Sequence, residues 1–128
     1  MQEPTWIIHC VFSNETIDSD VAYINAHTHG LEQYGHLDFQ VVIALPSNLL
    51  GYILNTLGDR VRNGEVFKNG ETVDDLLQDL SVRLDEFEET GRTVLRVILP
   101  DEENLLWPEH PKCSNYFKGQ LLPTNELM

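Results

Sequence analysis

Apolar and polar positions alternate in runs of strand length along most of the chain, and one segment repeats at helical spacing instead. Residues 6–12 form a β-rich apolar run with Trp6, Ile8, Cys10 and Phe12 on one face and Ile7, His9 and Val11 on the other. Turn-forming residues 13–20 separate it from a second strand candidate over 21–26. Residues 39–45 are almost continuously apolar, as befits a central strand covered on both faces. Pro46 stops that run and Ser47 is a suitable N-cap. Leu49, Leu50, Ile53, Leu54, Leu57 and Val61 then recur at helical spacing as far as Asn63-Gly64. Gly51 and Gly58 stand nearly on one face of this helix, which predicts close approach by another helix or subunit.

Further on, Asn69-Gly70 predicts a short hairpin between 65–67 and 71–73, and residues 74–80 one or two helical turns. Thr90-Gly91-Arg92 predicts a longer hairpin joining 81–89 to 93–99. After Pro100, Trp107-Pro108 and Pro111 favour irregular coil. The fold class is therefore α+β: a mostly antiparallel five- or six-stranded sheet with one long helix packed on one face. Residues 1–128 are expected to form a single domain, with 100–128 a largely irregular C-terminal tail.

Composition bounds the function. The 128 residues are 41% hydrophobic, enough for one modest core. Two cysteines are too few for a secreted disulfide scaffold, and Cys10 reads as a buried small hydrophobe. The N-terminus lacks the basic start and apolar stretch of a signal peptide, and no window reaches the ~18 apolar residues of a membrane span, so a cytoplasmic location is expected. Twenty-one Asp and Glu against eight Lys and Arg give a net charge of −13. That field argues against nucleic-acid and membrane partners and leaves room for a basic protein partner.

Candidate chemistry gathers where histidines do. His27, His29 and His36 fall within ten residues. On an extended chain His27 and His29 point the same way, and His36, Glu32 or Asp38 would complete a divalent metal site. No other cofactor is evident. Tyr23, His27, His29, Tyr34, His36 and Asp38 together outline a candidate ligand pocket, in which a histidine beside Asp38 or Glu32 would also serve as an acid–base pair. No Gly-x-Ser-x-Gly elbow or phosphate-binding glycine motif is present, and Cys10 has no cationic neighbour to activate it. Three functions compete. The first is a ligand- or partner-binding module, expected as a homodimer because the apolar strands exceed what one helix covers. The second is a His-centred, metal-assisted hydrolase or isomerase. The third is an acidic inhibitor or immunity protein for a basic enzyme.

A distributed motif adds to these readings. Ala22-Tyr23, Gly30-Leu31, Gly35-His36-Leu37-Asp38-Phe39, the apolar residues 41–44 and the Asn55-containing helix ending at Gly64 together resemble a family of small, uncharacterised bacterial domains of unknown function. Leu37 stands where that family usually has Pro, and Asp38 where it usually has Glu. The resemblance implies a compact α+β fold in a bacterial protein and implies no activity.

Overall fold

The computed structural model describes residues 6–12, 23–78, 80–101 and 105–127. The predicted turn at 13–20 and the first two residues of the second strand candidate, Val21 and Ala22, lie outside that set. Six strands form one sheet: β1 (Ile7–Phe12), β2 (Tyr23–His29), β3 (Asp38–Ile43), β4 (Glu71–Leu77), β5 (Leu80–Glu89) and β6 (Arg92–Ile98), in the order β1-β2-β3-β6-β5-β4. The sheet is mixed rather than antiparallel throughout. β3 and β6 run parallel, with Asp38 opposite Val94 and Gln40 opposite Arg96, because the chain crosses over between them. Each half of the sheet is an antiparallel meander.

The helix α1 (Ser47–Arg62) lies on one face. Its buried Leu50, Ile53, Leu54, Leu57 and Val61 meet Ile24, Ala26, Phe39, Val41 and Ile43 of the sheet in one core cluster. Each such side chain contributes roughly 1.5–3 kcal/mol on leaving water. Pro46, rather than Ser47, occupies the N-cap position, and no side chain caps it. Helix is not confined to this one element, since the C-terminal region also folds into two short helices, α2 (Asn115–Lys118) and α3 (Thr124–Leu127). The described part of the tail is therefore less irregular than its prolines imply. Its Cys113 and Phe117 join the core cluster that holds α1, while Gln120 and Thr124 hydrogen-bond the Gln40 and Arg96 side chains of the sheet.

Three local expectations fail for identifiable reasons. Residues 65–68 form no strand, although Phe67 is buried and Asn69-Gly70 does turn the chain. Residues 74–77, expected as helix, continue the strand begun at 71–73: a register shift between Val73 and Leu77 puts two buried residues, Val73 and Leu76, three apart, which mimics helical spacing. Cys10 is exposed, while Cys113 is buried, and both are free thiols.

The close approach foreseen at the helix glycines occurs at one of them, and from within the chain. A Cβ added at Gly58 would sit 2.7 Å from two atoms of the Trp6 indole, whereas one at Gly51 would meet nothing within 4 Å. Trp6 is pinned there by its Nε1–H, which donates to Asn55 Oδ1 at 2.9 Å. Two substitutions on one helix should thus act in opposite directions. Gly51→Ala should stabilise by up to ~1 kcal/mol through helix propensity. Gly58→Ala should cost about 1–3 kcal/mol by overpacking the indole. Chemical denaturation of both variants checks this, and shifts of the same sign would refute it.

Candidate functional site

The antiparallel register of β1 and β2 places His9 directly opposite His27, with His29 two residues further along β2 on the same face. The ring centroids of His9 and His29 are 4.7 Å apart, and those of His27 and His29 are 4.8 Å apart. One ring nitrogen from each of the three imidazoles lies within 4.8 Å of the others. His9 is exposed, His29 half-buried and His27 buried. Sequence reasoning found two of these histidines and missed the third.

His27 is held in one tautomer. Its Nδ1 faces the backbone oxygen of Asn25 at 3.2 Å and Asn25 Oδ1 at 2.9 Å; both can only accept, so Nδ1 donates. Asn25 is itself fixed. Its Oδ1 also accepts from Gln40 Nε2 at 2.9 Å, and its Nδ2 donates to Glu89 Oε2 at 3.2 Å. The lone pair of His27 therefore sits on Nε2, 3.9 Å from Glu89 Oε1. Burial pulls the pKa of His27 below its ordinary range, and the positive charge of Arg92 and the neighbouring His29 add to this while Glu89 opposes it. The ring is a neutral donor of electrons at physiological pH.

Glu89 belongs to a buried polar network. Burial alone would raise its pKa, but hydrogen bonds from Thr90 Oγ1, Arg92 Nε and Asn25, with the nearby His27, hold it below the usual carboxylate range. Arg92 also donates to Asp38 Oδ2 at 2.7 Å and to the Thr28 carbonyl at 2.8 Å. Asp38 in turn accepts from Thr28 Oγ1 and from the Leu31 backbone. Among the described residues, no buried side-chain nitrogen or oxygen lacks a partner. Glu89 thus sets a buried carboxylate, already paired with Arg92, 3.9 Å from His27 Nε2.

The other predicted site residues are placed elsewhere. His36 does not join His27 and His29: its Nδ1 donates to the Leu37 carbonyl at 2.7 Å and its Nε2 accepts from Phe67 N–H at 2.9 Å, which ties down the segment leading into β4. Tyr23 donates to the Tyr116 carbonyl at 2.7 Å and stacks on the Tyr116 ring, anchoring the C-terminal region. Tyr34 packs half-buried against the core from the 3-10 turn Leu31–Tyr34. Asp38 touches the site only through Arg92. The residues missed were His9, Asn25, Glu89 and Arg92. His9 carried no local signal, since only the pairing of β1 with β2 brings it opposite His27.

Comparison with known sequence families matches residues 1–114 to a family described as a domain of unknown function, DUF4262. The chain belongs to this family. The match bears out the resemblance carried by the Ala-Tyr, Gly-Leu and Gly-His motifs, and it brings no activity with it. No curated protein and no solved structure matches the DUF4262 chain. Among its described residues, no helix is long and apolar enough to cross a membrane.

The tautomer and burial of His27 give this DUF4262 protein a defined acid response. The folded chain binds a proton at His27 less tightly than the unfolded chain. Stability from this group is therefore whole above the ordinary histidine pKa of about 6.5 and is lost as pH falls through the lower folded value. Urea unfolding of the metal-free protein should show stability declining as pH falls below about 6.5 in the wild type and a flatter profile in His27→Gln. Parallel profiles would remove His27 as the cause.

Proposed function

We propose that this protein binds a divalent ion of the zinc class at His9, His27 and His29, leaving one coordination position open. The observation that carries the reading is the convergence of three imidazoles from two paired strands, one of them held by Asn25 so that its Nε2 carries the free lone pair. Three nitrogen ligands around an ion with bonds of about 2.0–2.1 Å sit about 3.4 Å from one another in tetrahedral geometry. The exposed His9 closes the remaining gap by side-chain rotation. Imidazole ligands select zinc, cobalt, nickel or copper over magnesium and calcium, which prefer oxygen. Asn25 then plays the outer role that keeps a ligating histidine in the right tautomer.

An open position on such an ion holds water and lowers its pKa to about 7, which makes hydroxide available at neutral pH. This supports metal-assisted hydrolysis as the chemistry of the centre. The test is metal titration of protein purified without a histidine tag. One zinc or cobalt per chain should bind, with the tetrahedral cobalt spectrum as a signature. The melting transition should move upward, by the equivalent of about 2.7 kcal/mol when free metal is a hundred times its Kd. His36→Gln should lose stability and keep the metal. Absence of saturable one-to-one binding, or an unmoved melting temperature, would end the metal reading.

A further inference from the structure

Beside the histidine cluster lies a cleft of about 720 Å³. Its walls come from four parts of the chain: Val11 of β1, Asn25 of β2, the end of β5 with its turn (Phe87, Glu88, Glu89 and Thr90), and Asn125 of α3. The volume falls in the range of small-molecule sites, and the mixture of apolar wall with a few polar groups is what such sites present.

The charge of the lining is one-sided. Glu88 is exposed at the cleft and Glu89 lines it in an ion pair with Arg92, while no Lys, Arg or His stands among the described lining residues. The two cations behind the walls are already engaged. Arg92 donates to Glu89, Asp38 and the Thr28 carbonyl. Arg96 donates to Gln40, Thr124 and the carbonyls of Gln120 and Leu122. Neither is directed at a ligand anion, and the net charge of −13 repels anions from a distance.

The turn that shapes the cleft is strained. Thr90 adopts φ 46°, a left-handed conformation that a β-branched residue rarely accepts, and Gly91 follows at φ 83°. The strain places the Thr90 hydroxyl on Glu89 Oε2 at 2.9 Å.

We propose that this cleft binds a small organic cation with an apolar body. The apolar portion lies along Val11 and Phe87, the positive end faces Glu88, and Asn125 and Thr90 supply hydrogen bonds. The site stands whether or not the histidines hold a metal.

Amide chemical shifts of the full chain, recorded without metal and again with one equivalent of zinc, provide the test. The probes are choline, its uncharged carbon isostere 3,3-dimethylbutan-1-ol, and propionate. Choline should shift the amides of Thr90, Gly91 and Asn125 saturably and weaken as salt is added. The isostere should bind at least ~10-fold more weakly, a difference of about 1.4 kcal/mol, and propionate should not bind. Glu88→Gln, a change at an exposed position, should weaken choline several-fold and leave the isostere unaffected. Equal binding of choline and isostere, indifference to Glu88→Gln, or no saturable shift at these amides would overturn the proposal. Zinc uptake is measured separately, so a chain that binds choline but takes up no zinc on titration would refute the metal centre and leave this site standing.

Discussion

Arg96→Leu should lower the free energy of unfolding by about 3–5 kcal/mol, a large part of the 5–15 kcal/mol that holds a typical domain together. The guanidinium is fully buried in the middle of the sheet. Burial pushes its pKa down to about 10, so it remains charged at neutral pH. Its Nε donates to Gln40 Oε1 at 2.8 Å, and one terminal nitrogen donates to both the Gln120 and Leu122 carbonyls at 2.6 Å. The other reaches Thr124 Oγ1 at 3.0 Å, and the group lies 3.6 Å from the centre of the Phe87 ring. Leucine fills part of the space and strands these acceptors away from water, each at about 1–3 kcal/mol. Arg96→Lys keeps the charge and loses the fork, so an intermediate loss is expected. Urea midpoints give the size of the effect, and limited proteolysis should show the C-terminal region cut first. A midpoint unchanged by Arg96→Leu would mean that the segment is held by other contacts.

His27→Ala should abolish zinc-class binding, with a fall in affinity beyond the roughly 10–100-fold that follows from disturbing an outer partner of a ligand. His27 is the one buried member of the trio and the one whose orientation is fixed from behind. His9→Ala should lose less, because an exposed ring contributes less preorganisation. Calorimetric titration of the two single variants would order them. Retention of wild-type affinity in His27→Ala would remove the three-histidine centre from consideration.

Much of the framework is written in local pattern. The buried stripe of α1, the apolar β3 and the turn at Thr90-Gly91 all follow from spacing and turn chemistry within a dozen residues. Long-range pairing is less legible. The parallel contact between β3 and β6 joins Asp38 to Val94, and no local signal distinguishes it from an antiparallel neighbour. The site divides in the same way. His27 and His29 declare themselves by their two-residue spacing, whereas Glu89 and Arg92 reach the cluster only through the folded sheet. His36 misled because proximity in sequence stood in for direction: its ring turns away to accept the Phe67 amide. The irregular step in β4 hid a strand for a related reason, since alternation breaks wherever a register shift intervenes.

The seam between the two halves of the sheet also bears on how the chain assembles. Each half can zip up from neighbouring segments, but Asp38 and Val94 must meet across more than fifty intervening residues, so closing the middle carries the largest loop entropy of any step. All three imidazoles belong to the first half, on β1 and β2, while the carboxylate behind them arrives with the second. If the proposed centre forms, a nascent chain would present its histidines to an ion before the sheet is whole, and joining the halves would bring up the carboxylate as counter-charge.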